Sequence, residues 1–263
     1  MQITRILYVT DREKPSFSEV ERLMAFRRLG LEEIIFLHPK GELEWEKRVG
    51  DYGVKSKTLV GQSPVLPIIL STVEQETASM IAADLNKGTE KVFSGSRVKK
   101  LLRSTPVPIL VLNEDAQTKT SERNGIFDHI IFATDWSPLS DMAISYLLGF
   151  KEIIKMVEIV NVISKRLSIR DMRALNKRLL KTRKIFLDEG MDAEAHVYAG
   201  KPPEEIMLAA LEYSGTAIVM GTSRKSPLKA FSSGSCSYRV AGDTVLPALF
   251  IPSVERSGIT EEG

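Results

Sequence analysis

The chain has 263 residues, 43% of them hydrophobic and 27% charged, with a net charge of +2. That length accommodates two domains, and the near-neutral balance excludes a whole-chain argument for nucleic acid or an anionic membrane. The single cysteine, Cys236, excludes an internal disulfide and a cysteine-built zinc site.

The opening segment MQITRILYVTD carries one arginine and a short apolar run, without a signal-peptide pattern. No run approaches the roughly 18 apolar residues of a membrane span, so a soluble cytoplasmic protein is the expectation. RILYVTD, ending at Asp11, has the form of a buried strand closing in a turn. A short helical segment follows in GELEWEKRVGDYG. From Val60 to Asp84 the chain then begins to repeat itself: Gly61, Pro64 and Thr77 recur 139 residues later as Gly200, Pro203 and Thr216. Gly95-Ser96 and Pro108 recur at the same spacing as Gly234-Ser235 and Pro247. Upstream the spacing is 124, where HIIFATD ending at Asp135 matches RILYVTD, so the first copy is about 15 residues shorter. The second helix is the expected place of the cut.

Polar, aperiodic residues from Asn113 to Gly125 read as a linker. The chain therefore divides into domains at 1–113 and 126–254, a linker at 114–125 and a flexible tail at 255–263. In the second copy, HIIFATD is a buried parallel strand and Ser137-Pro138 starts a helix. VEIVNVIS is the next strand, and the long basic helix SIRDMRALNKRLLKTRKIFLDEG follows. On that helix Arg166, Arg170, Arg173, Lys177, Lys181 and Lys184 oppose Met172, Leu175, Leu179 and Phe186, the pattern of a solvated amphipathic helix. DAEAHVYAG, the proline-led helix PPEEIMLAALEYSG, and the strands TAIVMGT and LPALFIP complete the copy. Strands alternating with helices predict an α/β fold: two tandem open five-stranded parallel sheets with helices on both faces. His38, His129 and His196 are scattered through strand-like segments without metal-site spacing, and read as structural residues with no metal.

The strand-end ATD (Ala133, Thr134, Asp135), GKPPEEI, IVMGTS and the closing GSCS before LPALFIP resemble the universal stress protein family, twice over nearly the whole chain. The resemblance implies a Rossmann-like fold of the adenine nucleotide alpha hydrolase type that often binds ATP. The family's nucleotide loop is G-x-x-G-x9-G-[ST]; its glycines let backbone N–H groups approach phosphate. Here Gly221 fills the first position and Gly234-Ser235 the last two, with Arg224 in place of the second glycine. At the constant spacing, the first copy has Ala82 and Leu85 at the first two positions and Gly88 within the loop. Loss or weakening of binding is therefore expected there, with the ligand mainly in the second domain.

For that domain the resemblance implies Asp135 near the adenosine, as a ribose-hydroxyl acceptor, and Val162 offering backbone to the base. It also implies Met220 and Gly221 along ribose and phosphates, and Ser235, Cys236 and Ser237 at the phosphate. Arg224 either blocks the outer phosphates by bulk or binds them as a cation. Near a helix start the Cys236 thiolate could be favoured; a small residue offering its N–H is the other reading. The implied cofactor is AMP or ATP, with Mg accompanying ATP. The implied partners are the nucleotide, the other half of the chain through the last strands VPILVLN and LPALFIP, a second copy in a homodimer, and an unknown protein. Nucleic acid and membrane are not among them. A regulatory stress-response module without efficient catalysis is the leading expectation. A slow ATPase or self-phosphorylating enzyme and a nucleotide-free docking scaffold are the alternatives.

Overall fold

Short apolar runs bounded by turns become buried parallel strands. The computed structural model describes residues 2–12, 14–38, 45–60, 65–84, 95–112, 125–222 and 234–253. The expected linker at 114–125, save Gly125, and the tail at 255–263 lie outside them, as do Leu85, Gly88 and Arg224. The first half supplies β1 (Arg5–Thr10), β2 (Glu33–His38), β3 (Lys55–Val60), β4 (Met80–Asp84) and β5 (Ile109–Leu112). The second supplies β6 (His129–Ala133), β7 (Met156–Ile163), β8 (Asp192–Ala199), β9 (Ala217–Thr222) and β10 (Ala248–Pro252). Between them run α1 (Phe17–Leu23), α2 (Glu46–Asp51), α3 (Leu66–Gln75), α4 (Gly95–Ser104), α5 (Pro138–Leu148), α6 (Ile169–Asp188), α7 (Pro202–Glu212) and α8 (Gly234–Asp243).

The helix starts follow from side-chain chemistry. Ser168 and Asp171 close a reciprocal capping box at the head of α6, satisfying donors that a helix N-terminus leaves open. Pro138 and Pro202 open α5 and α7, where a missing N–H costs nothing. On α6, Leu175, Leu179, Thr182 and Phe186 are buried, whereas Met172 is exposed and does not belong to the apolar stripe expected of it.

The strand order is β3-β2-β1-β4-β5-β10-β9-β6-β7-β8. Each half is parallel throughout, and the halves join where β5 and β10 pair antiparallel, Leu110 opposite Leu249. The two five-stranded sheets thus form one ten-stranded sheet. Helices α1, α2, α5 and α6 cover one face and α3, α4, α7 and α8 the other, each with an apolar layer running across both halves. Phe26, Phe127 and Phe150 meet edge to face across the seam on the first face, with ring centroids 5.4–5.7 Å apart. On the other face the Arg103 guanidinium donates to the Tyr238 hydroxyl at 2.7 Å, joining α4 to α8. A fully buried aromatic ring contributes on the order of 1.5–3 kcal/mol, so the Phe26 cluster makes each half lean on the other.

The internal repeat is visible in the hydrogen bonds, and it corrects the gapless alignment. Thr216 bridges the N–H and C=O of His129 through its hydroxyl, at 3.0 Å each. Ser79, not Thr77, does the same to Arg5, at 3.1 and 2.8 Å. Thr77 and Ser214 are the matching left-handed turn residues, with φ of 48° and 51°. Ile6 pairs with Met80 as Ile130 pairs with Ala217, so the counterpart of Gly221 is Asp84 rather than Ala82. By the end of α4 the constant spacing is restored: Thr105 and Thr244 cap the turns to Val107 and Leu246 identically. Most of the length difference lies in the second helix, with 6 residues in α2 and 20 in α6.

Candidate ligand crevice

Strand β6 lies between β9 and β7, so chain connections leave it in opposite directions and a crevice opens beyond its C-terminal end. A cavity of about 110 Å³ occupies that place. Ala133, Thr134 and Asp135 enter it from the end of β6, Val160, Asn161 and Val162 from β7, and Met220 and Gly221 from β9. Ser137, Leu139 and Ser140 close one side at the start of α5, Pro202 and Ile206 another, and Cys236 reaches in from the first turn of α8.

Gly221 is where the backbone must come close. A Cβ there would lie 2.6 Å from the Leu139 carbonyl oxygen and 2.8 Å from its carbon, so any side chain would push α5 away from β9. Beyond β6, Asn161 Nδ2 donates to the Thr134 carbonyl at 2.8 Å and holds the two strand ends together. Trp136 takes a left-handed φ of 53°, rare for a bulky residue, and is anchored by its indole N–H to Thr182 Oγ1 at 3.1 Å. That turn sets the direction of Asp135. Asp135 Oδ1 accepts from the Ser137 N–H and the Ser140 hydroxyl, each at 2.9 Å. Burial pushes the Asp135 carboxyl up, but the bonds from Ser137 and Ser140 outweigh it and hold the group below the ordinary carboxylate value.

Of the residues expected at the site, Ala133, Thr134, Asp135, Val162, Met220, Gly221 and Cys236 line this single cavity. Ser237 sits behind it, buried, with its hydroxyl 3.5 Å from that of Thr222. Gly234 opens α8, whose first-turn N–H groups are free of helical partners by geometry. The Ser235 side chain, like Arg224, lies outside the described residues. Cys236 is not an activated thiol: burial first, then the charge of Asp135, push it up to about 12. Sequence reasoning missed Ser137, Ser140 and Asn161, although Ser137 marks the α5 start and Asn161 precedes Val162.

Residues 127–252 match the universal stress protein family. That half of the chain is a universal stress protein domain. Comparison with curated proteins gives no match. A universal stress protein from Archaeoglobus fulgidus DSM 4304 superposes at TM-score 0.70 and 20% identity, covering 95% of this chain and 97% of its own. A functionally unknown protein from Pseudomonas aeruginosa PAO1 does so at TM-score 0.68 and 15% identity, covering 96% and 93%. Both share the fold over both halves. A universal stress protein from Archaeoglobus fulgidus in complex with dAMP covers 48% of this chain and 98% of its own, at TM-score 0.39 and 22% identity.

The first half shares this fold but differs at the end of β4. Asp84, at the position of Gly221, is 1% exposed. It accepts from Arg12 Nε at 2.8 Å, the Tyr8 hydroxyl at 3.1 Å and the Thr10 hydroxyl at 3.3 Å. Burial and the neighbouring Asp84 raise the Tyr8 hydroxyl well above its ordinary value, so it stays a donor. Asp84 thus joins Tyr8, Thr10 and the partly buried Arg12 in one polar network, where Gly221 in the second half instead admits the Leu139 backbone.

Two of the three histidines meet, whereas His38 lies apart against the Arg12 carbonyl. His129 and His196 both bond the buried carboxylate of Glu158. Strand pairing brings together residues far apart in sequence, which no local spacing announces.

Proposed function

We propose that the protein binds an adenine nucleotide, AMP or ATP, in the crevice of its universal stress domain and works as a regulatory module without efficient catalysis. One observation carries the reading: a cavity beyond the end of β6 brings Asp135, Val162, Gly221 and the first turn of α8 together. In the open crevice Asp135 Oδ2 is the acceptor for a ribose hydroxyl, while Oδ1 stays engaged by Ser137 and Ser140. The strand end at Val162 offers backbone groups to the base. The α8 N-terminus, with Ser235, Cys236 and Ser237, offers N–H groups to phosphate.

The absence of a catalytic role rests on the lining. Among the described residues, Asp135 is the one carboxylate at the cavity, and its depressed pKa makes it a poor general base. If ATP is the ligand, Mg accompanies its outer phosphates. Calorimetric titration of AMP and ATP into the wild type, Asp135→Ala and Arg224→Gly tests the reading. Binding that Asp135→Ala weakens is the expected result. Tighter ATP binding by Arg224→Gly marks the arginine as a block, and weaker binding marks it as a phosphate ligand. No binding of either nucleotide to any of the three proteins overturns the proposal.

A further inference from the structure

Below the crevice, towards the N-terminal ends of the strands and under the C-terminal end of α7, β6 and β8 direct side chains at one carboxylate on β7. Glu158 on β7 is 3% exposed. Its Oε1 lies 2.8 Å from His129 Nε2 on β6, and its Oε2 lies 2.6 Å from His196 Nε2 on β8. Glu194, two residues before His196, brings a second carboxylate to 4.0 Å from the same Nε2. Ligand atoms of Glu158, Glu194 and His196 all lie within 4.8 Å of one another.

Two features go beyond a satisfied hydrogen-bond network. Glu158 and Glu194 are direct register partners on adjacent strands. Like charges placed opposite each other are unfavourable unless a cation stands between them. Glu158 already has both histidines, so the network does not require Glu194. Its side chain is 60% exposed, which gives the cluster a route to solvent.

The second feature is the hold on His196. Its Nδ1 is 3.0 Å from the Tyr213 hydroxyl, and the two rings stack at 4.3 Å. Here Nε2–H donates to Glu158 and Nδ1 accepts from the Tyr213 hydroxyl. The same hydroxyl can turn to accept from Nδ1–H when Nε2 binds a metal, and an outer partner of this kind is the usual support of a metal-bound histidine.

We propose that Glu158, Glu194 and His196 bind a divalent ion of the zinc class, with water as the fourth ligand. One imidazole nitrogen and two carboxylates form the three-donor set of an open tetrahedral zinc site, whereas magnesium and calcium favour all-oxygen shells. On binding, His196 moves its Nε2 proton to Nδ1 or releases it to water, while His129 keeps its bond to the other oxygen of Glu158. None of these residues lines the crevice, so the inference stands apart from the nucleotide reading.

The test is calorimetric titration of the metal-stripped full chain with Zn²⁺, with Co²⁺ as the optical probe. About one equivalent of Zn²⁺ should bind, and Co²⁺ should give the strong visible bands of a tetrahedral site. Tyr213→Phe should weaken Zn²⁺ roughly 10–100-fold. Glu194→Ala should weaken it at least as much while leaving the melting of the metal-free protein unchanged, since this carboxylate is exposed. His196→Ala should remove binding, and the Glu194 variant keeps the test decisive if His196→Ala folds poorly. Failure to take up Zn²⁺ at micromolar concentrations overturns the proposal. So does equal affinity in the wild type and Glu194→Ala.

Discussion

Replacing Gly221 by alanine probes the contact on which the crevice is built. The added methyl group would lie 2.6 Å from the Leu139 oxygen, 2.8 Å from its carbonyl carbon and 3.0 Å from its Cβ. Two of these atoms are backbone, so relief requires α5 to move from β9 rather than a side chain to turn. Overpacking of this kind costs about 1–3 kcal/mol. For a chain of this size each kcal/mol lowers the melting temperature by about 2–4 °C, so a fall of roughly 2–12 °C is expected in a calorimetric or fluorescence melt. Gly242→Ala is the matched control: it lies in α8 with nothing within 4 Å of the added Cβ. Removing a helical glycine there should gain about 0.5–1 kcal/mol. The opposite signs distinguish steric conflict from a general response to alanine. A Gly221→Ala protein that melts with the wild type would refute the close approach of α5 and the account of the open crevice.

Two further outcomes follow from the charged groups. Asp84→Ala removes the buried acceptor shared by Tyr8, Thr10 and Arg12, and leaving a buried donor unsatisfied costs about 1–3 kcal/mol; urea unfolding should show this loss, and an unchanged stability would contradict the network. Asp135 has a depressed folded pKa, so its contribution to stability is present above the ordinary carboxylate value of about 3.9 and disappears as pH falls through the lower folded value. Ser140→Ala removes one of the bonds to Oδ1, and a carboxylate NMR titration should find Asp135 moved up towards that ordinary value.

Much of the fold was legible because its signals are local. Buried strands are short apolar runs, and Pro138, Pro202 and the Ser168–Asp171 box announce helix starts within a few residues. The crevice was legible for a related reason: Asp135 and Gly221 fall at strand ends, and parallel strands carry such ends to one edge. What escaped was register. The gapless repeat placed Ala82 against Gly221, because the two-residue difference between the copies is absorbed where turns carry no periodic pattern. The hydrogen bonds of Ser79 and Thr216 and the register of β4 and β9 reveal the slip, and with it the position of Asp84. The Glu158 cluster escaped for a deeper reason. Its members come from β6, β7, β8 and the end of α7, and their meeting depends on strand neighbours that no window of sequence contains.

The antiparallel seam between β5 and β10 gives the molecule a front and a back. Strands in one half run opposite to those in the other, so their C-terminal ends lie at opposite edges of the sheet. Gly221 and Asp84, which stand at matching strand ends of the two halves, therefore lie at opposite edges of one sheet. The edges are chemically unlike: one carries the cavity beside Gly221, the other a buried carboxylate held by Arg12, Tyr8 and Thr10. The seam thus gives a repeated sequence two distinguishable ends.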